Sequence, residues 1–341
     1  MKLPSSKDPE SLKEELGFFL ATEFWGVARE AVDIVQVKGG ITNLLFRASA
    51  QGTDKFPHVL VRVFGEGGSI LIDRERERII VEQISKLGFG PRIAASYAEG
   101  RLEEFFPDKA SIESTDMLKL PYRPLIASRL REMHGLAIDD DYSPGAAGIW
   151  RNLADWLRLA RETTRQSPIP LDSLEEEIKW ASAQISNLVN KEFATQAARD
   201  LSRIVFSHND LLGGNILYSG TTGRLVFIDF EYSCYNYAAF DIANHFCAVP
   251  ESQLIGTGIY SVEQYPSVNE QTAFLEEYLQ TAGENLTEAI DLIGHFSMLA
   301  ELRWIVWAVV QAEKSSVIFD YDNYAKERFN GYREMKRRLS I

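Results

Sequence analysis

The 341-residue chain is poor in several things, and each shortage excludes something. It has two cysteines, Cys234 and Cys247, too few for a disulfide framework and in keeping with a reducing, cytoplasmic setting. Basic side chains number 36 against 49 acidic ones, a formal net charge of −13. A nucleic-acid surface would want the opposite, a basic stripe. Cationic small molecules, or anions arriving with a metal, remain as partners. No apolar run approaches the roughly 18 residues of a membrane span; Phe296 to Val310 comes nearest and carries Glu301 and Arg303. Met1 to Glu15 is charged from Lys2 onward and has no apolar centre, unlike a signal peptide. With no repeat period either, a solenoid is excluded. What remains is the composition of an ordinary globular protein, 45% hydrophobic and 25% charged, and long enough for two lobes or domains.

Pattern divides the chain into two textures. Ser11 with Glu14 reads as a capping box opening a helix to about Trp25. Five short β-rich runs follow, at Ala31 to Val37, Leu44 to Ala50, Val59 to Phe64, Ile93 to Tyr97 and Leu102 to Phe106. One helix interrupts them, Asp73 to Leu87, stopped by Gly88, Gly90 and Pro91. After Pro107 the pattern is mostly helical: Leu125 to His134, Ile149 to Arg161, a helix capped by Ser173 and Glu176, and long helices over Thr272–Thr281, Leu286–Val310 and Asp322–Lys336. Three short strands, Ile204–Ser207, Ile216–Tyr218 and Leu225–Ile228, interrupt this half. The expected fold is α+β and bilobal: residues 1–106 with an antiparallel five-stranded sheet, residues 107–341 mainly helical, a hinge about 103–106 and a ligand cleft between.

The chemistry concentrates in Ser207-His-Asn-Asp-Leu-Leu-Gly-Gly-Asn215 and Ile228-Asp-Phe-Glu231. A carboxylate, an amide oxygen five residues on and a second carboxylate at the end of an apolar strand match the needs of phosphoryl transfer. One group must accept the proton of an incoming hydroxyl, and hard oxygens must hold Mg²⁺ on nucleotide phosphates. Asp210 suits the first task; Asn215 and Asp229 suit the second. Gly39, Gly40, Thr42 and Asn43 lie between the first two strands, as a phosphate-covering loop or a plain hairpin turn. Arg62, amid apolar neighbours on the third strand, would reach α- and β-phosphates, with Glu77 as its ion-pair partner or Glu75 in its place.

Together these spacings resemble the kinase-like phosphotransferases of small molecules, with Asn209 where protein kinases carry arginine and Glu231 where they carry glycine. The run Asp229-Phe-Glu-Tyr232, Tyr235-Asn-Tyr237 and Asn244-His-Phe246 narrows this further, and resembles the choline and ethanolamine kinase family. Gly39 to Asn43, Val61 to Gly65, Gly100 to Phe106, Met133 to Gly135 and Trp304 to Gln311 extend the likeness from about Val37 to the end. The resemblance implies a protein-kinase-like fold, ATP with Mg²⁺, transfer of the γ-phosphate to an amino alcohol in phospholipid head-group synthesis, and often a homodimer. By it Asp210 is the catalytic carboxylate and Asn215 and Asp229 hold the metal. Arg62 and Glu77 bind phosphate, Glu104, Phe105 and Phe106 form the adenine-binding hinge, and His208 and Asp241 brace the catalytic loop.

An ammonium head group needs aromatic faces, each worth about 0.5–2 kcal/mol. Trp304 and Trp307 share a helix face, Tyr232 follows the metal motif, Phe319 and Tyr324 come just after, and Glu231 adds charge. Leu211-Leu212 is more like ethanolamine kinases than choline kinases. Where the family tends to place a glutamate after Asn244-His-Phe, this chain has Ala248, with Glu251 the nearest carboxylate. The expected substrate is therefore ethanolamine, with choline second or shared. An aminoglycoside-type phosphotransferase has no need of the aromatic box, a non-catalytic scaffold has no need of metal ligands, and a protein kinase would carry alanine-proline-glutamate after Asp229.

Overall fold

The structure, a computed structural model, describes residues 2–5, 8–37, 43–65, 71–140, 146–315 and 319–340. Helix α1 (Pro9–Phe19) starts one residue after Asp8, whose carboxylate accepts the Ser11 N–H at 2.8 Å. The cap is thus Asp8, not Ser11: proline tolerates the first helical position, and the helix extends back to it. A π-helical turn, Leu20–Trp25, continues it, and Gly26 at φ 68° ends it.

The five expected strands form one antiparallel sheet. They are β1 (Val32–Val37), β2 (Asn43–Ala50), β3 (His58–Phe64), β4 (Ile93–Tyr97) and β5 (Gly100–Glu104), in the order β1-β2-β3-β5-β4. The last begins two residues earlier than Leu102 and stops at Glu104. Alternation along the strands sends Val59, Val61 and Val63 into a core with Leu12 and Leu16 of α1. Helix α2 (Arg74–Lys86), capped by Asp73, turns Ile80, Val81 and Ile84 into the larger core beyond the sheet.

That larger core is helical. After β6 (Ala110–Ser111) come α3 (Tyr122–His134), α4 (Gly148–Arg161), α5 (Leu171–Val189) and α6 (Gln196–Leu201). Helix α5 begins after Pro170, with no side-chain cap, so Ser173 and Glu176 lie inside it and the expected box is absent. Next are β7 (Ile204–Ser207), β8 (Ile216–Tyr218), β9 (Leu225–Phe227) and β10 (Cys234–Tyr237), then α7 (Ala238–Thr257), α8 (Val268–Leu279), α9 (Thr287–Lys314) and α10 (Tyr321–Arg338). The capping box that does form is Ser267–Glu270, at the start of α8. Helix α7 escapes pattern reading because it is buried on nearly every side and contains Pro250, so no amphipathic period marks it. Helix α9 packs against α4, α5, α6, α7, α8 and α10. It alone among the described residues is long and apolar enough to cross a membrane, and its most apolar stretch is 94% buried inside the protein.

Candidate active site

A cavity of about 570 Å³ opens between the sheet and the helical core. Strand β7 delivers the loop His208-Asn-Asp210 to its wall, and β9 delivers Asp229. Asn209 at φ 63° and Asp229 at φ 65° both take the left-handed conformation that non-glycine residues rarely adopt. The surroundings hold the first of these in place. Asp241, at the start of α7 and fully buried, accepts the backbone N–H of His208 and of Asn209, each at 2.7 Å. His134 of α3 reaches the same carboxylate at 3.0 Å. Burial alone would raise the Asp241 pKa, but the His134 hydrogen bond and charge, with the N–H of Asn209, hold it below the usual value. The Asn209 side chain is fixed from both ends, accepting from Asn236 at 2.8 Å and donating to the Tyr232 carbonyl at 3.1 Å. The His208 ring donates through Nε2 to Ile228 O at 2.9 Å, joining the loop to the residue before Asp229, and burial keeps that imidazole neutral by pushing its pKa down.

Asp210 itself is pushed well above the ordinary carboxylate range, first by burial and then by the charge of Glu251, with Arg303 opposing. Asn215 donates through Nδ2 to the Asp210 carbonyl at 2.8 Å and to its carboxylate at 3.1 Å. That turns the Asn215 amide oxygen the other way. This oxygen and the Asp229 carboxylate, both on the cavity wall, form a hard, two-oxygen donor set. The set fits Mg²⁺, which favours few protein oxygens and completes its shell with water and phosphate. Among the described residues no cluster of three or more His, Cys, Asp or Glu side chains forms a closed metal cage.

Arg62 reaches the site as its strand position predicts, but its partners differ. Nε donates to Glu103 at 2.9 Å and Nη1 to Asp229 at 3.0 Å. Glu77 pairs instead with Arg101 and Arg74, and Glu75 with Arg78. Register explains the correction: Arg62 of β3 stands opposite Arg101 of β5, and Arg101 and Glu103 share a sheet face. Both guanidiniums bond Glu103, Arg62 at 2.9 Å and Arg101 at 2.7 Å, and Arg101 reaches on to Glu77. Burial opposes the Arg62 charge, but Asp229, Glu103, Glu231 and Glu77 together raise its pKa. The alternation Arg101-x-Glu103 on a buried strand was the available signal for these two residues.

Asn43 of β2 stands at the same end, 3.5 Å from Glu231 and bonded by Arg74. Gly39, Gly40 and Thr42 lie outside the described residues. Glu104, Phe105 and Phe106 all line the cavity, with the Glu104 carboxylate drawn to Arg92 at 3.0 Å. Glu231 has its pKa pushed up to about 7 by burial, then by Asp229 and Glu77, against Arg62 and Arg74. In the folded state it therefore keeps a proton that the unfolded chain has already lost above the ordinary value of 4.5. Ionising it costs stability from about pH 4.5, and the full cost, on the order of 3 kcal/mol, is reached above about pH 7. Glu231→Gln is expected to raise the Tm of the nucleotide-free protein at about pH 8 and to lose that gain near pH 5. Melts showing the same shift at both pH values would contradict it.

Part of the cavity wall is aromatic. Tyr232, Trp304, Trp307, Phe319 and Tyr324 all line it. Tyr232 and Trp304 meet edge to face at 5.5 Å, Trp304 and Trp307 at 5.6 Å, and Phe319 and Tyr324 at 5.6 Å. The indole N–H groups are engaged away from any ligand: Trp307 donates to the Tyr232 hydroxyl at 2.9 Å and Trp304 to Asn244 at 2.7 Å. Glu251, one helical turn beyond Ala248 on α7, lines the same cavity. It accepts from the Tyr324 hydroxyl and pairs at 2.8 Å with Arg328, which also holds Glu301 at 2.8 Å. Glu301 and Arg328 are each 0% exposed, so two carboxylates share one buried guanidinium and the aromatic part of the wall carries an acidic edge. Sequence reading placed Glu251 only as the nearest carboxylate and gave Arg328 of α10 no role, because α7, which carries Glu251, left no periodic trace.

This arrangement defines a small-molecule phosphotransferase of the protein-kinase-like fold. Solved structures agree on the fold: an ethanolamine kinase of Plasmodium vivax superposes with TM-score 0.78 at 24% identity, covering 96% of this chain and 90% of that one. A choline kinase of Cryptosporidium parvum gives 0.76 at 23%, covering 96% of each. A macrolide 2'-phosphotransferase reaches 0.55 at 16% identity, covering 96% of this chain and 98% of its own. The sequence comparisons go further. The choline/ethanolamine kinase family model matches residues 34–333. A probable choline kinase of Arabidopsis thaliana is 33% identical, covering 97% of this chain and 93% of its own; a probable ethanolamine kinase of the same plant is 30% identical, at 92% and 82%. The chain belongs to the choline/ethanolamine kinase family, and is an enzyme of that kind, a phosphotransferase with an alcohol as acceptor.

Proposed function

We propose that the enzyme transfers the γ-phosphate of ATP to the hydroxyl of ethanolamine, with choline as a second or shared substrate. The observation that carries this is one cavity whose wall holds both the polar set Asp210, Asn215, Asp229 and Arg62 and an aromatic set edged by Glu251. Asp210 accepts the hydroxyl proton as the substrate oxygen attacks the γ-phosphorus and the bond to the β-phosphate oxygen breaks, releasing ADP. Arg62, anchored by Glu103, presents positive charge to the phosphates. A Mg²⁺ ion held by Asn215 and Asp229 would neutralise charge developing on the phosphates. Residues 1–106 act as the nucleotide-binding lobe and 107–341 as the catalytic and amino-alcohol lobe, with Phe105 and Phe106 against the adenine.

Two features favour ethanolamine. A primary ammonium has three N–H donors to satisfy, and Glu251 offers a carboxylate where a trimethylammonium would need only ring faces and charge. Leu212 lines the cavity beside Asp210, the second of a leucine pair more like that of ethanolamine kinases than of choline kinases. Both cysteines are free and buried, in keeping with a reducing compartment. ATP turnover measured against ethanolamine, choline, the methylated ethanolamines and an aminoglycoside tests the reading, with ethanolamine expected to give the highest kcat/KM. Absence of acceleration by either amino alcohol would overturn it. In the same assay Trp307→Ala should raise the KM for the amino alcohol about tenfold, as expected for one lost ring face, while the KM for ATP stays put. An unchanged amino-alcohol KM would return Trp307 to the core.

A further inference from the structure

Arg303 lies at the centre of α9, one residue before Trp304, and is 0% exposed. Its Nη1 donates to the Asn209 carbonyl at 3.0 Å, directly before Asp210. Its guanidinium carbon packs over the rings of Trp304, Trp156 and Tyr232, at 4.5, 4.8 and 5.1 Å from their centroids. Among the described residues it forms no ion pair with a carboxylate, and its Nε and Nη2 are buried without a hydrogen-bond partner. A buried guanidinium with one hydrogen bond and no counter-ion destabilises a core that methionine or leucine would fill at lower cost, so stability does not account for it. Its neighbours do. Tyr232 and Trp304 also line the cavity, whereas Arg303 does not, so the guanidinium lies behind the wall that a cationic substrate would meet.

We propose that Arg303 is the resident cation of that wall: a positioning residue that holds Asn209, and through it Asp210, and that limits how strongly the Tyr232 and Trp304 rings attract a second cation from the cavity. The affinity half of this inference rests on the amino-alcohol reading of the site. A ring attracts a cation through the negative charge on its faces. A cation already packed on that ring draws on the same charge and repels a like charge beyond it, unscreened by water. The head group is consequently held less tightly than the aromatic wall alone would hold it. Arg303 also opposes the burial that disfavours charge on Asp210, so the same guanidinium that weakens the substrate's grip supports the loop that acts on it. Affinity and turnover then move in opposite directions when the charge is removed, which general damage to the fold does not produce.

The test compares Arg303→Gln, which removes the charge but keeps a donor for Asn209, Arg303→Met, which removes both, and Arg303→Lys, which keeps the charge. Each is assayed with choline, with ethanolamine and with 3,3-dimethylbutan-1-ol, the uncharged carbon isostere of choline. The glutamine and methionine variants should lower the KM for the cationic alcohols about three- to tenfold while leaving the constant for the neutral isostere and the KM for ATP within about twofold. Their kcat should fall, more in the methionine variant, and the lysine variant should keep the wild-type KM. Equal changes for cationic and neutral alcohols, or a higher KM for the cations in variants with an unchanged Tm, would overturn the charge role. An unchanged kcat in Arg303→Met would overturn the positioning role. Should the methionine variant not fold, the glutamine and lysine pair decides the charge role, and the kcat of Arg303→Leu, which also lacks a donor for Asn209, decides the positioning role, an unchanged value overturning it. If the wild type turns over neither amino alcohol, it is the reading of the site that fails. Calorimetric binding of tetramethylammonium to wild type and Arg303→Gln still decides the charge effect: tighter binding by the variant supports it, and equal binding refutes it.

Discussion

Asp210→Asn is expected to lower kcat by about 10²–10⁴-fold, as befits removal of a general base, with little change in either KM. The fold should tolerate the change well. Asparagine is nearly isosteric, and its amide oxygen can still accept from Asn215 Nδ2, now 3.1 Å from the carboxylate. The native carboxylate is half-buried in the cavity wall, and its pKa is driven up by desolvation first and then by the charge of Glu251; exchanging it for a neutral amide removes a charge that folding disfavours. The variant should therefore melt at or above the wild-type temperature while being nearly inactive. Steady-state kinetics and thermal unfolding on one preparation separate the possibilities. Near-wild-type turnover would sink the base assignment, and a lost activity accompanied by a marked drop in Tm would reassign Asp210 to structure.

Asp229→Asn should be almost as damaging, lowering turnover at ordinary Mg²⁺ by about 10²–10³-fold, the scale on which misplaced charge at a phosphoryl group is felt. Asparagine is the informative replacement because residue 229 has φ 65°, a conformation asparagine tolerates and alanine does not. Backbone strain is thereby removed from the comparison. The substitution weakens one of the two oxygens available to the metal and deprives Arg62 of a charge partner 3.0 Å away. Glu103 keeps Arg62 in place at 2.9 Å, so the loss should appear in the Mg²⁺ dependence, displaced to higher concentration, and hardly in stability. Wild-type activity with an unshifted Mg²⁺ titration would remove Asp229 from the metal site.

The legible parts of this protein are those where chemistry and chain order coincide. Asp210, Asn215 and Asp229 lie within twenty residues of one another, on loops whose flanking strands are short, apolar and bounded by polar turns. The sheet was legible for the same reason, since its strands alternate every second residue and are punctuated by glycine and proline. Helix ends were less so. Ser11 and Ser173 have glutamate three residues on, yet the helices begin upstream of both, at prolines or just after them, because a cap motif within a longer helical stretch has no cap to form. Helix α7 was not legible at all. Its residues Asp241 to Pro250 are all buried, and a helix apolar on every side offers no period to read.

By itself, then, the amino-acid sequence determined the reaction class, the five strands, and the polar and aromatic residues that line the cleft, Asp210, Asn215 and Asp229 among them. Each of these depends on residue type at short range, where spacing translates directly into geometry. Tertiary structure alone decided who pairs with whom among the buried charges. Arg62 with Glu103, Glu77 with Arg101, Glu251 with Arg328, and Arg303 against three rings and the Asn209 carbonyl all join residues from different segments. In a low-dielectric interior a charge is held by whichever partner the register and packing bring within about 3–4 Å, and no spacing along the chain states that distance in advance.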